Sequence, residues 1–318
     1  MSRYKIKPFP KDQLHTSPLH SRESKVTIHD FARAFSPDKP FAAFIESLPD
    51  ILAGRDYKSF LKRAEQARIR NKERLFALGA HVIKVGLAPV LISLMEEGWI
   101  TSLALNGAGI IHDFEIAYAG HTSEEVADKI KNGRLGMARE TGELLNEAIN
   151  SAEGKEMGIG EVIGELIEKS DYPHKDLSLL AAAYRMNIPT TVHVAIGTDT
   201  IHFHPRVDGK ALGNATLRDF FLFCSLCENL EGGGIFVNVG SAVILPEVFL
   251  KAVTFIRNKG KPLENYATAV FDFQRHYRPE ENVVKRPLGE KGRGFYFIGH
   301  HEIMIPLLAA SLRSLRQG

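Results

Sequence analysis

The sequence predicts an α/β fold: a largely parallel sheet with helices on both faces. Three observations predict it. Short apolar runs recur, each ending in a glycine or a polar residue, and each is followed by apolar spacing of helical period. The runs alternate with helical stretches instead of pairing through two-residue turns, which implies parallel crossovers. The strand-like runs are nearly continuous in apolar residues, as expected where both faces of a sheet are covered.

Residues 1–40 read as a polar arm, with Pro8, Pro10, Pro18 and several basic residues, and 41–318 as one α/β domain. Residues 41–53 and 56–78 read as helices, the second densely charged with a thin apolar stripe. Its charges are not interleaved with stacking aromatics, so they read as a solvated face and not as an RNA surface. A strand is expected at 80–85 before Gly86, then a helix to about residue 97 with Pro89 in its first turn. Residues 102–105 form the next strand. Residues 122–170 read as mostly helical, entered through Thr122-Ser-Glu-Glu, a capping-box pattern. A helix at 176–186 and a strand at 189–196 follow, then a helix at 216–229 and a strand at 234–240. The series closes with a helix from Pro246, strands at 266–273 and 295–298, and a C-terminal helix after Gly299-His300-His301.

The most informative stretch is Ser102-Leu-Ala-Leu-Asn-Gly-Ala-Gly-Ile-Ile-His-Asp-Phe. It reads as a buried strand, a tight turn at Asn106, Gly107, Ala108 and Gly109, and a helix whose first turns carry Ile110, Ile111 and Phe114. Such a bend lets a nucleotide pyrophosphate approach bare backbone at a helix N-terminus, where unpaired N–H groups favour anions. His112 and Asp113 would stand at its mouth. In a parallel sheet, ligands bind beyond the carboxyl ends of the strands. The polar and glycine residues fall there: His81, Asn106 to His112, Gly197 to Asp199, Gly240-Ser241, Asp272 and His300-His301.

The chain has 318 residues, 44% of them hydrophobic and 25% charged, with a formal net charge of +2. That balance points to neither nucleic acid nor an anionic membrane as a partner. No apolar run approaches the roughly 20 residues that span a bilayer. The two cysteines, Cys224 and Cys227, lie in an apolar helical run and read as small core residues of a cytoplasmic protein.

The ordered set of segments resembles the deoxyhypusine synthase family across about residues 75–312. Gly79-Ala-His-Val-Ile-Lys-Val-Gly86 and Leu103 to Phe114 are similar to its first NAD-binding loops. Asn187 to Asp199, Gly234 to Ile244, Tyr266 to Phe271 and Arg278-Pro-Glu-Glu281 are similar to its later segments. The resemblance implies a Rossmann-like NAD-binding fold, an aminobutyl-type transferase acting on a polyamine or related small-molecule amine, and a homo-oligomer, a tetramer in that family. It implies that His81, Asn106, Gly107, Ala108, Gly109, Asp199, Gly240 and Ser241 bind the cofactor and that Glu281 holds the substrate amine. The family's lysine follows in a Trp-Gly-Lys sequence that this chain lacks. Lys285 is the nearest candidate for the catalytic amine, with His112 and His300 as acid or base. Beside Arg286, Lys285 would have a lowered pKa. The loop glutamates of the family are Ile111 and His112 here. These departures imply a divergent branch and not a true deoxyhypusine synthase.

The thirteen histidines give a rival. If His202 and His204 sat on a strand they would share a face, and with His300-His301 they could serve a metal-dependent hydrolase. A third reading is a non-catalytic ligand-binding protein on the same scaffold.

Overall fold

The computed structural model describes residues 3–315. The first two residues of the expected arm and the last three of the expected domain lie outside them. Among its described residues the arm carries only short 3-10 turns. Its end is tied down where Arg33 N–H donates to Ser47 O and Asp50 N–H to Asp30 O.

Two helices, α1 (Phe41–Ser47) and α2 (Leu52–Ile69), precede the sheet. Then come β1 (Arg74–Leu78), α3 (Ala80–Lys84), α4 (Ala88–Glu96), β2 (Ser102–Asn106) and α5 (Gly107–Ala119). A helical excursion follows: α6 (Val126–Lys131), α7 (Arg139–Lys155), α8 (Ile159–Glu168) and α9 (Leu179–Arg185). The alternation resumes with β3 (Thr190–His193), α10 (Gly209–Glu228), β4 (Ile235–Val239), α11 (Ile244–Asn258) and β5 (Ala267–Asp272). The single turn α12 (Tyr277–Pro279), a π-helical turn (Glu280–Lys285), β6 (Arg293–Ile298) and α13 (His301–Ser314) complete the chain.

The six strands pair in the order β3-β2-β1-β4-β5-β6, and every pairing is parallel. Both faces are buried. Phe76, Leu78, Val237 and Phe271 point into the larger core beneath α2, α5, α8 and α13. Leu75, Ala77, Phe236 and Val270 point into a second core beneath α10 and α11, where Phe236 stacks on Phe249 with ring centroids 3.9 Å apart. Cys224 and Cys227 are buried in that second core, and burial raises both thiols.

Two expected elements are corrected. The first strand is β1, not residues 80–85, and the helix expected over 56–78 stops at Ile69. Asn71, with φ of 49°, turns the chain in the left-handed region. Arg74 N–H then donates to Thr101 Oγ1, and the Arg74 guanidinium caps the carbonyl of Ala67. The charges at Lys72, Glu73 and Arg74 therefore make turn and strand contacts, while those from Asp56 to Arg68 stay on α2. Residues 80–84 become helical directly after Gly79. The pattern at Thr122 does not cap α6 either; the side chain of Glu125 does.

Candidate functional site

The sheet grows from β1 through β2 to β3 on one side, then crosses to β4 on the other. This order places a topological switch point between β1 and β4, the position at whose carboxyl edge sheets of this kind bind ligands. Gly79 and Gly240 flank it from the two strands. Gly79 N–H donates to Val239 O at 2.8 Å, and a Cβ on Gly79 would lie 2.1 Å from Gly240 O. Gly240 has φ of +64°. No side-chain cap closes the start of α3 or of α5. At α11, Ser241 Oγ accepts from Leu245 N–H. The helices after β1 and β2 thus start without a side-chain cap, whereas after β4 the Gly240 N–H is spent on Phe271 O and Ser241 takes an N–H of α11.

The bend at 106–109 and the bend at 240 therefore share one edge of the sheet. The α5 N-terminus is not an open anion seat, however. The Asp199 side chain lies against Gly107, where a Cβ would meet Asp199 Oδ2 at 2.0 Å. Asp199 is 6% exposed, and its Oδ2, 3.7 Å from His202 Nε2, has no hydrogen-bond partner among the described residues. Asn106 Oδ1 beside it is likewise buried without a partner. Burial pushes the Asp199 carboxyl up while His202 pulls it back. Two buried acceptors without donors suit a sugar hydroxyl better than a phosphate.

On the β4 side of the switch point, His301 is 1% exposed and packs over Gly240. Its Nε2–H donates to Phe271 O at 3.3 Å, which leaves Nδ1 as a buried acceptor without a partner. Burial lowers its pKa, against the pull of Asp272. Asp272 is buried, accepts from Phe273 N–H, and keeps Oδ2 without a hydrogen-bond partner 3.9 Å from His276 Nε2. Burial raises its carboxyl. His81 is exposed on α3, with its ring centroid 5.8 Å from that of His301.

A cavity of about 620 Å³ opens along the outer face of α5. Ala108, Ile111, His112 and Glu115 line it from the helix, with Glu124, Glu140, Thr141, Thr198, Asp199, His121 and Lys84 around them. Four carboxylates against one lysine give it an acidic wall.

Several expected site residues fall elsewhere. Asp113 does not face the cavity. It is fully buried, takes hydrogen bonds from Ser178 and from Leu179 and Leu180 N–H, and so caps α9. Burial pushes it up to about 6. Gly109 packs on Leu105. Lys285 sits toward the amino edge, because its neighbours Val283 and Pro287 accept from Thr268 and Tyr266 at the start of β5. Its ammonium is paired with Glu280 at 3.0 Å and Glu281 at 2.9 Å, and those carboxylates raise its pKa, the reverse of the lowering expected from Arg286. Glu281 is engaged by Lys285 and Arg286. His300 is exposed at the start of α13, and its neighbour His301 is the buried member of the pair. His276, beside Asp272, was missed in the sequence; Asp272 and His301 were marked there only as strand-end residues.

The metal reading finds no support. His202 lies in a 3-10 turn, not a strand, and its Nδ1 accepts from Gly197 and Asp199 N–H, so it pins the loop. His204 packs against Gly142. Among the described residues no group of three or more histidine, cysteine, aspartate or glutamate side chains could hold a metal ion. No helix among them is long and apolar enough to cross a membrane.

No protein-family model matches the chain, and no curated protein matches it. Solved structures do. AgrE in its ternary complex with ornithine and NAD+ is 15% identical with a TM-score of 0.52, covering 89% of this chain and 34% of AgrE. ArgZ, an arginine dihydrolase from the ornithine-ammonia cycle in Cyanobacteria, is 17% identical at 0.49, covering 84% of this chain and 33% of ArgZ. A candidate deoxyhypusine synthase from Entamoeba histolytica is 11% identical at 0.46, covering 88% and 95%. With TM-scores below 0.5, the last two add nothing to the reading. The chain spans about a third of the length of AgrE and ArgZ. At these identities the likeness is one of fold: a parallel, Rossmann-like sheet flanked by helices, shared with distant proteins and not specific to deoxyhypusine synthases.

Proposed function

We propose that the protein is an NAD-binding enzyme that acts on a small amine. The observation that carries this reading is the switch point between β1 and β4, where the Gly79 and Gly240 backbones meet too closely for any side chain. The residues present fit a dinucleotide. Gly79, Gly240 and Ser241 would hold it at the switch point, and Asn106 and Asp199 would accept from its hydroxyls. NAD, when bound, supplies a hydride acceptor for a carbon beside nitrogen. The acidic cavity beside α5 would hold the cationic amine. The AgrE complex with ornithine and NAD+, on a similar fold, is in keeping with this pairing.

An aminobutyl-type transfer would draw on Lys84, the lysine of the cavity, and not on Lys285. The same reading expects a homo-oligomer, which light scattering on the purified protein tests. The principal test is titration with NAD+ followed by thermal unfolding and calorimetry. A saturable rise in the midpoint supports the reading, and NADH absorbance appearing on addition of a linear diamine extends it to catalysis. An unchanged midpoint up to millimolar NAD+ overturns it.

A further inference from the structure

His112 sits half-buried on α5, and its ring is held from one side only. His112 Nδ1 lies 2.6 Å from Thr122 Oγ1. The Thr122 hydroxyl donates to Glu115 Oε2 at 2.5 Å, and Glu115 Oε1 accepts from Thr141 Oγ1 at 3.1 Å. A threonine hydroxyl has one proton to give. Since Glu115 takes it, Thr122 can only accept from the ring, and the ring nitrogen facing it must carry hydrogen. His112 Nε2 has no hydrogen-bond partner among the described residues, and the side chain lines the 620 Å³ cavity.

We infer that Thr122 and Glu115 lock His112 in the neutral tautomer protonated at Nδ1, so that Nε2 offers its lone pair to the cavity as the proton acceptor for an ammonium ligand. The tautomer rests on these hydrogen bonds alone; the ligand class rests on the amine reading above. The step is a simple proton transfer. An ammonium N–H proton passes to Nε2, the electron pair of that bond stays on the amine nitrogen, and His112 becomes imidazolium. An ammonium has no lone pair, so this loss must precede any departure of hydride from the neighbouring carbon.

The surroundings favour the starting state. Burial lowers the His112 pKa, Glu115 raises it, and Lys84 and His81 on α3 lower it again. The other charged or titratable groups facing the cavity are Tyr118, His121, Glu124, Glu140 and Asp199. Glu115, placed behind Thr122, meets the positive charge once the ring has taken the proton. Thr122 and Glu115 are thus positioning residues, and His112 is the group that meets the ligand.

The test is long-range proton–nitrogen NMR on histidine-labelled protein, with putrescine as the probe amine and no NAD+ present. The expected wild-type pattern for His112 is hydrogen on Nδ1 and a bare Nε2. Thr122→Val should turn this into a mixture and weaken putrescine binding roughly tenfold, the worth of one hydrogen bond to a charged group. Thr122→Ser should restore both. Putrescine affinity should also fall as pH drops below the His112 pKa. A wild-type ring with hydrogen on Nε2 overturns the inference, as does a tautomer indifferent to Thr122→Val. Because NAD+ is absent, a protein that ignores NAD+ counts against the function reading alone.

Discussion

Gly79 and Asp219 each sit against neighbouring backbone that leaves them little room. At Gly79, a methyl group would have to share space with the Gly240 carbonyl 2.1 Å away, on two backbones fixed by the sheet. Gly79→Ala is expected to cost about 1–3 kcal/mol of stability, as overpacking does, and to abolish the response to NAD+. Urea unfolding and NAD+ titration of the same variant check both halves. Asp219 is fully buried on α10 and accepts from Val192 N–H at 2.8 Å and Gly160 N–H at 3.1 Å. Burial pushes its carboxyl from an ordinary 3.8 up to about 7, and Asp113 up to about 6. A carboxyl raised on folding holds its proton more tightly in the folded state. Its contribution to stability is therefore complete below the ordinary carboxylate range and is lost as pH climbs through 6 and 7. Asp219→Asn should flatten the upper part of that slope, read from unfolding midpoints between acid and neutral pH. A slope unchanged by the substitution would contradict this.

Among the elements, the α5–α9 pair shows how far local sequence reaches. Helix α5 and strand β2 were legible because Asn106-Gly-Ala-Gly punctuates a change of period from strand to helix. The direction in which Asp113 points was not, since its partners Ser178, Leu179 and Leu180 lie more than sixty residues away. A polar pair at a helix start reads as a mouth in one dimension; only packing shows that one member turns inward to cap another helix. Asp113→Ala would leave the first N–H groups of α9 without an acceptor in a buried setting. A loss of about 1–3 kcal/mol is expected, measured by chemical denaturation, with Ser178→Ala costing less. The misplaced first strand has a similar cause. Lys72, Glu73 and Arg74 looked like a helix surface, yet each is used within a turn or by a neighbouring strand: Glu73, for example, accepts from Ser102 Oγ at 2.7 Å.

At the scale of the molecule, alternation and buried strands made the parallel sheet readable, and with it the edge where ligands gather. Strand order was not readable, because nothing local says that the chain leaves β3 to join β1 from the other side. The site suffered the same limit: His301 reaches Gly240, and Asp199 reaches Gly107, across separations of 61 and 92 positions that only the fold closes. The Asp199 contact has a consequence for discrimination between coenzymes. A carboxyl group already occupies the place beside Gly107, and in the proposed function that is where the extra phosphoryl group of NADP+ would have to settle. Within the proposed function, NADP+ should bind at least roughly tenfold more weakly than NAD+, by calorimetry, and Asp199→Ala should narrow that gap. Equal affinity for the two would mean the nucleotide sugar rests elsewhere. With the expected gap, the chain has selected its coenzyme by filling a seat in advance, with one of its own side chains as the sitting tenant.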